Sequence, residues 1–278
     1  DINIGVIYLI AATSLGVYGV GLGGWASNNK YSFLGGLRAS AQMISYEIPM
    51  GLALLCVVLT AGTLLPQEIV SKQLGGQWYL LQQPVAAILF YICLLAEAGR
   101  APFDLAEAEQ ELIAGWHTEY SSMKWALFFM GEYVHLVVGS AFFATLFLGG
   151  WSINPVTGWD LPQSGSIWLI LLQFGIVLGK VFLLVFLTMM VRWTLPRFRF
   201  DQLMKLAWEG LIPLSLVLLL MTSVFVYLGW TEWLWAGSLG CLALIWLILP
   251  WLPGSSGVNR RVPLVGSRFS HPTPDRGP

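Results

Sequence analysis

The sequence predicts an all-α fold: a polytopic transmembrane helix bundle of about seven spans with a short acidic helix in one loop. Hydrophobic residues make up 56% of the 278-residue chain and charged residues only 10%. Soluble domains carry about 25% charged residues, so this chain is too apolar to be one. Apolar stretches of about 17–26 residues recur along it, which is the length a helix needs to cross a bilayer.

The spans follow one another along almost the whole chain. Apolar periodicity predicts them at residues 4–25, 41–64, 84–100, 124–149, 167–190, 211–228 and 233–249. We therefore expect one transmembrane domain at residues 1–249, with a charged cytoplasmic loop at residues 100–123. A Pro- and Arg-rich tail follows at residues 250–278. The chain opens on an apolar stretch without Met or a basic region, so we expect its natural N-terminus to lie outside this sequence.

Lysine and arginine are sorted by side of the membrane. They follow the first, third and fifth spans and recur in the tail, as Lys30 and Arg38, Arg100 and Lys124, Arg192 to Lys205, and Arg260 to Arg276. Cytoplasmic loops of membrane proteins carry an excess of these residues. The pattern indicates an odd number of spans, with the 100–123 loop and the C-terminus on the cytoplasmic side.

The sequence lacks the patterns that are typical of several classes of function. No basic run suggests nucleic-acid binding. Cys56, Cys93 and Cys241 stand singly in apolar spans, without the spacing of metal or iron–sulfur ligands, and are predicted to be small core residues. There is no Gly-rich phosphate loop or dinucleotide fingerprint. We therefore expect no metal, no cofactor and no catalytic residue that acts in the isolated chain.

Acidic residues are concentrated between the third and fourth spans. Of the 15 Asp and Glu residues, seven lie within residues 96–133: Glu97, Asp104, Glu107, Glu109, Glu111, Glu119 and Glu132. Ionisable groups at membrane depth are rare and usually mark an ion path or ligand site. This segment is therefore predicted to be the functional centre. The alternative is a solvated acidic surface helix, which is the usual fate of such a run.

The order of residues in this segment predicts its local structure and the pairing of its charged side chains. Glu97 and Arg100 are one turn apart and are expected to pair. Pro102 breaks the helix, and Asp104 is expected to cap a short helix at residues 105–114. In the fourth span, Glu132 and His135 share a face, where they could hold a proton together or, alternatively, form a structural contact between helices.

The second span combines a polar stripe with a carboxylate. Arg38, Gln42 and Tyr46 are four residues apart and share one helix face, while Glu47 lies about half a turn away. Arg38 has an alternative use, because it could extend to the membrane surface as an interfacial anchor. Glu47 is deeper in the span, which favours a functional role.

Three long segments carry a family resemblance. Residues 27–49, 96–133 and 191–216 resemble subunit 1, or H, of respiratory complex I, the proton-pumping NADH:quinone oxidoreductase. The resemblance covers about residues 1–228. It implies a membrane subunit that helps form the quinone chamber and couples quinone reduction to proton translocation. NADH, flavin and iron–sulfur clusters are then expected only in partner subunits of the hydrophilic and membrane arms, with quinone as substrate at the subunit boundary and a bacterial inner membrane as location.

Site residues follow from the resemblance by position. Glu47, Glu97 and Glu132 are similar to the buried acids of the family's proton path. The quinone-chamber candidates are Arg38, Arg100, Phe103, Asp104, Glu107, Glu109 and Glu111. The family's first two helices have no counterpart here, so we expect an N-terminal part to be missing. The last span and the tail lie beyond the matched region.

Two other readings remain at this point. A related subunit of a membrane-bound hydrogenase or formate hydrogenlyase shares the architecture but uses no quinone, and the intact acidic loop favours complex I. A proton-coupled secondary transporter would need internal repeats with paired broken helices. The acidic pattern of residues 96–133 does not recur in the sequence, which disfavours the transporter.

Overall fold

The computed structural model of the chain describes residues 3–74, 77–100, 102–104, 115–155 and 166–248. Helices joined by short turns account for most of these residues. They are α1 (Gly5–Ser14), α2 (Gly16–Ala26), α3 (Lys30–Ala61), α4 (Pro66–Leu74), α5 (Tyr79–Gln82), α6 (Pro84–Glu97), α7 (Ser122–Phe147), α8 (Ile167–Thr194), α9 (Phe200–Lys205), α10 (Ile212–Leu228) and α11 (Leu234–Ile248). A 3₁₀ turn at Gly115–His117 precedes α7, another at Thr231–Trp233 precedes α11, and a π-helical turn at Leu206–Leu211 joins α9 to α10.

The predicted membrane helix bundle is confirmed. Among the described residues, five helical stretches are long and apolar enough to cross a membrane: Gly5–Ala26, Lys30–Ala61, Ser122–Phe147, Ile167–Thr194 and Phe200–Leu228. The other two predicted spans appear as α6 and α11, of 14 and 15 residues. Helix α6 is shorter than the roughly 20 residues that a crossing helix needs, and α11 is described only as far as Ile248. The predicted acidic helix at 105–114 and the tail at 250–278 lie outside the described residues.

Local chemistry explains two boundaries that differ from the sequence prediction. Helix α3 begins at Lys30, eleven residues before the predicted span, because the Asn29 side chain accepts a hydrogen bond from the Tyr31 amide at 3.0 Å and caps the helix. Helix α6 ends at Glu97 rather than at Arg100. Gly99 has a φ of +61°, which a helix cannot continue through.

Helix α3 lies at the centre of the bundle and packs against α2, α6 and α10. Large fully buried side chains fill the spaces around it and around the contact of α6 with α7, among them Tyr46, Phe90 and Phe147. Cys56 and Cys93 are buried in this core, while Cys241 is half-buried. The cysteines are therefore small core residues, as predicted. This packing fixes the facing ends of α3, α6 and α7, where the site described below lies.

A lysine holds the turn that follows α7. The Lys180 ammonium group lies near the middle of the 28-residue α8 and donates hydrogen bonds to the carbonyl oxygens of Leu148, Gly150 and Ser152, at 2.8 Å to Gly150. It also lies 4.3 Å from the centre of the Trp78 ring. Irregular backbone at membrane depth is tolerated only where the protein satisfies its polar groups. Lys180 thus satisfies three carbonyl groups at once.

We expect Lys180→Met to lower the stability of the bundle by about 1.5–3 kcal/mol, because three carbonyl groups lose a charged donor. The thermal unfolding midpoint of the purified protein measures the effect. Lys124→Met is the matched control, since Lys124 is exposed at the start of α7. Equal midpoints for the two variants would show that the Lys180 contacts contribute nothing.

Candidate functional site

A cavity of about 340 Å³ lies between α1, α2, α3, the end of α6 and α7. Its polar lining consists of Thr13, Gln42, Glu97, Glu132 and His135. The rest of the wall is apolar and includes the rings of Trp116 and Phe128, whose centroids are 4.7 Å apart. An apolar cavity with a few convergent polar groups is the usual form of a small-molecule site.

Two pairs of charged or chargeable side chains, called the ion pairs below, connect the end of α6 to α7 at this cavity. Arg100 Nη2 lies 3.3 Å from Glu132 Oε2, and His135 Nε2 lies 3.4 Å from Glu97 Oε1. The side chains of Arg100 and Glu97 are only 10% and 12% exposed. At this degree of burial a charge needs a partner, because the surroundings solvate it poorly. Each of the two carboxylates is therefore held in place by a cation or potential cation from the facing segment.

This pairing corrects one sequence-based expectation and decides between two alternatives. Glu97 does not pair with Arg100, because the positive φ of Gly99 ends the helix between them and turns Arg100 towards α7. Glu132 and His135 share a face of α7 as predicted, and each contacts a residue at the end of α6, in agreement with the alternative of a structural contact between segments. The result is a crosswise arrangement of four charged or titratable groups.

Aromatic rings complete the surroundings of Arg100. Its guanidinium carbon lies 4.3 Å from the centre of the Tyr133 ring and 5.5 Å from that of Phe129. A cation over an aromatic face gains about 0.5–2 kcal/mol, and more when it is desolvated. Arg100 is thus fixed by one carboxylate and two rings, all on α7.

A second, smaller cavity adjoins the first. It has a volume of about 240 Å³ and shares Thr13, Glu97 and His135 with the larger cavity. Its other walls are mostly apolar and include Phe90, together with Thr145 near the far end of α7. The Glu97–His135 pair therefore stands at the boundary between two cavities.

Glu47 lies apart from both cavities. Its carboxylate accepts a hydrogen bond from the hydroxyl of Ser14 at the end of α1, and its side chain is half-buried. The neighbouring Thr13 lines both cavities. The structure thus brings Glu97 and Glu132 to one cavity and connects Glu47 to that region through α1.

Three other predicted chamber residues contact side chains outside the lining of the larger cavity. Phe103 lies 5.6 Å from the ring of Tyr46 and 5.8 Å from that of Phe198. Asp104 Oδ2 accepts a hydrogen bond from Arg197 at 3.2 Å. Arg38 lies 5.7 Å from the ring centre of Phe200. None of the three predicted residues lines the larger cavity, and Glu107, Glu109 and Glu111 lie outside the described residues. Their roles stay predictions.

Some residues of the site were not predicted. Trp116 is 4% exposed and lines the cavity, and Ser14 holds Glu47. The sequence offers one signal for Trp116, a large aromatic directly after Gly115 at the end of the acidic segment. It offers none for Ser14. Among the described residues, no group of three or more His, Cys, Asp or Glu side chains could hold a metal ion.

Comparison with known proteins identifies the family. The family model described as NADH dehydrogenase matches residues 1–223. The chain is 51% identical over 228 residues to an NADH-quinone oxidoreductase H-type subunit of Geobacter sulfurreducens, a match that covers 82% of this chain and 62% of that protein. It is 53% identical over 225 residues to the H-type subunit of the NADH-quinone oxidoreductase of Protochlamydia amoebophila, covering 81% and 64%.

A third relative extends the range of organisms. "NADH-quinone oxidoreductase subunit 8" of Rhodothermus marinus is 48% identical over 235 residues, covering 82% of this chain and 69% of that protein. The chain spans 62% to 64% of the length of the first two relatives. The matched region contains the cavity, both ion pairs and helices α1 to α9. The chain, a multi-pass bundle of apolar helices, therefore belongs to the NADH dehydrogenase family.

Proposed function

We propose that this chain is a membrane subunit of an NADH:quinone oxidoreductase, in which it helps form the quinone chamber and couples quinone reduction to proton translocation. The names of the similar proteins support this assignment. In the proposal, NADH, flavin and iron–sulfur clusters reside in partner subunits, and this chain performs no redox step alone. The assembly resides in a bacterial inner membrane, with this subunit in contact with lipid and with both the hydrophilic and the membrane arm.

The observation that carries the proposal is the 340 Å³ cavity with the paired acids Glu97 and Glu132 in its wall. Its apolar surface suits the ring or the isoprenoid tail of a quinone. Reduction of a quinone adds negative charge before protons arrive. Negative charge near a carboxylate favours the protonated form of that carboxylate. The cavity thus offers an electrostatic route from quinone reduction to proton uptake at Glu97 and Glu132.

The ion pairs provide the first step of coupling. The Glu132 carboxylate is paired with the Arg100 cation, and the Glu97 carboxylate is paired with the His135 imidazole, which is a cation when protonated. A proton gained by either carboxylate therefore weakens its attraction to its partner. At low dielectric, such a change in charge strongly alters the electrostatic energy of neighbouring groups. In the proposal, that change is passed towards Glu47 by way of α1, because Thr13 lines the cavities and Ser14 binds Glu47.

We expect Gly131→Phe to impair quinone reduction by filling this cavity. Gly131 lines the cavity, and a Cβ atom there would meet nothing within 4 Å, so α7 can accept the side chain. Quinone-linked turnover should fall and the KM for quinone should rise, while NADH oxidation with an artificial acceptor stays normal. The measurement uses the purified assembly that contains the full-length subunit.

Gly175→Phe provides the matched control. Gly175 is exposed on α8, and its Cβ atom would also meet nothing within 4 Å. It adds the same side chain to an apolar helix but lies outside the cavity lining. If Gly131→Phe and Gly175→Phe reduce quinone equally well, the cavity is not part of the quinone chamber and the proposal fails.

A further inference from the structure

Gln42 connects α3 to both sides of the bend that carries Glu97 and Arg100. Its Nε2 group donates hydrogen bonds to the carbonyl oxygens of Ala96 and Phe103, each at 2.8 Å. The side chain is 3% exposed. Ala96 directly precedes Glu97, and Phe103 follows three residues after Arg100. One amide group therefore holds the two ends of the bend at a fixed separation.

The bend needs such support because its backbone is irregular. Helix α6 ends at Glu97, and Gly99 has a positive φ, so the regular helix ladder stops here and the Ala96 carbonyl oxygen accepts a long hydrogen bond of 3.4 Å from the Gly99 amide. Buried backbone carbonyl groups need donors. Gln42 supplies a donor to one carbonyl group on each side. A small movement of the bend would change the 3.3 Å and 3.4 Å distances of both ion pairs together.

We propose that Gln42 is a positioning residue for proton coupling: its amide group fixes the bend so that Glu97 and Arg100 keep their pairing with His135 and Glu132. This inference rests on the proposed function and adds a residue that acts through the ion pairs. The two hydrogen bonds of Gln42 limit movement of Ala96 away from Phe103. The conformation of the bend thereby sets the charge balance of the cavity.

A glutamine fits this role better than an apolar residue of the same length. Both of its amide hydrogens are used by the two carbonyl groups. Its Oε1 is buried and has no hydrogen-bond partner among the described residues, and the residue lines the larger cavity. Burying an amide that is only partly bonded is costly, and a methionine would avoid the cost. The polar side chain is thus suited to positioning the bend rather than to packing alone.

Gln42→Met in the full-length subunit of the purified assembly tests the proposal. Methionine keeps the length and removes both hydrogen bonds. We expect normal assembly and normal NADH oxidation with an artificial acceptor. Quinone-linked turnover should fall roughly ten- to a hundredfold, because a displacement of about 1 Å in a reacting group has an effect of this size. The ratio of protons pumped to NADH oxidised should fall as well.

Gln73→Met is the matched control. Gln73 is 1% exposed, and its amide group donates hydrogen bonds to the carbonyl oxygens of Thr145 and Leu146 at the other end of α7. It lines neither cavity. A role in stability alone should show equally in both variants, as a lower thermal inactivation midpoint. Only Gln42→Met should lower the pumping ratio.

A double substitution separates positioning from stability. If Gln42 acts through the ion pairs, Gln42→Met should change turnover by a smaller factor than in the wild-type subunit once Glu132→Gln has removed one of the two pairs, because coupled residues are not additive. Independent, multiplying effects would overturn the inference. Wild-type turnover and pumping in Gln42→Met would overturn it too. In that case, a loss of turnover in a separately purified Gly131→Phe variant would show that the proposed function still holds.

A second variant applies if Gln42→Met does not assemble. Gln42→Asn retains an amide group on a stem shorter by one methylene, so it cannot reach both carbonyl groups without moving the bend. We expect a smaller loss of turnover than for Gln42→Met and a lowered pumping ratio. Unchanged turnover and pumping in Gln42→Asn would show that the double hydrogen bond has no role in coupling.

Discussion

Glu132→Gln is expected to lower quinone-linked turnover and proton pumping together, while NADH oxidation with artificial acceptors continues. Glutamine keeps the size and the hydrogen-bonding capacity of the side chain but cannot gain or lose the proton. It also leaves the Arg100 guanidinium group, whose side chain is 10% exposed, without its carboxylate. Both consequences follow from one substitution, so a second variant is needed to separate them.

The loss of stability that Glu132→Gln causes can be bounded from its contacts. Breaking a fully buried ion pair from one side costs about 3–5 kcal/mol. The Glu132 side chain is 25% exposed, so this pair is not fully buried, and the rings of Tyr133 and Phe129 remain in contact with Arg100. We expect a cost of about 1–3 kcal/mol, which is the usual penalty for an unpaired buried polar group. That loss should appear as a lower thermal inactivation midpoint of the assembly.

The double variant Arg100→Met/Glu132→Gln separates the two roles. It removes the cation as well, and methionine can pack on the same rings, so the thermal midpoint should return towards the wild-type value. Pumping should stay low if Glu132 itself exchanges protons. Wild-type pumping in the double variant would show that Glu132 serves only to balance the charge of Arg100. Glu119→Gln is the control, because Glu119 is exposed and its carboxylate accepts a hydrogen bond from Asn29, which an amide oxygen can also accept.

Composition and apolar periodicity predicted the helical membrane fold correctly, because the bilayer imposes a length and a polarity on every span. The order of the spans also followed from the sequence. The start of α3 did not, because the stretch from Lys30 to Ser40 carries polar residues and two glycines that weaken the apolar pattern. The Asn29 cap and the burial of Gly35 and Gly36 against neighbouring segments override that weak local preference.

The acids of the site were predicted, but their partners were not. Glu97 and Glu132 stand out in the sequence because charge is scarce in apolar spans. Pairing depends on how α6 and α7 pack and on one positive φ at Gly99. Spacing along a helix predicted Glu97 with Arg100, whereas the structure pairs each with α7. Contacts between distant segments, such as Gln42 with Phe103 or Ser14 with Glu47, leave no periodic pattern in the sequence.

At Gly35, helix α3 packs directly against the backbone of the Gly115–His117 turn. A Cβ atom at Gly35 of α3 would lie 2.7 Å from the Trp116 amide nitrogen and 2.8 Å from the carbonyl carbon of Gly115. These are backbone atoms, so no side-chain rotation relieves the collision. Only glycine allows α3 and the Gly115–His117 turn to approach so closely.

Gly35→Ala is therefore expected to displace the segment that places Trp116 in the cavity wall. Trp116 packs at 4.7 Å on Phe128, and the Tyr120 hydroxyl donates a hydrogen bond to the Gly23 carbonyl oxygen at 2.9 Å, so the displacement would disturb α2 as well. Forcing extra volume into a packed site costs typically 1–3 kcal/mol, and more when backbone must move. We expect a lower thermal inactivation midpoint and reduced quinone-linked turnover in the purified assembly.

Gly51→Ala is the matched control on the same helix, because a Cβ atom at Gly51 would meet nothing within 4 Å. Alanine favours a helix over glycine by about 1 kcal/mol, so this variant should be neutral or slightly stabilised. The two substitutions change α3 identically in chemistry and differ only in what the new methyl group meets. If Gly35→Ala matches Gly51→Ala in both midpoint and turnover, the contact of α3 with the Gly115–His117 turn does not position the cavity wall, and Trp116 loses its assigned place in the site.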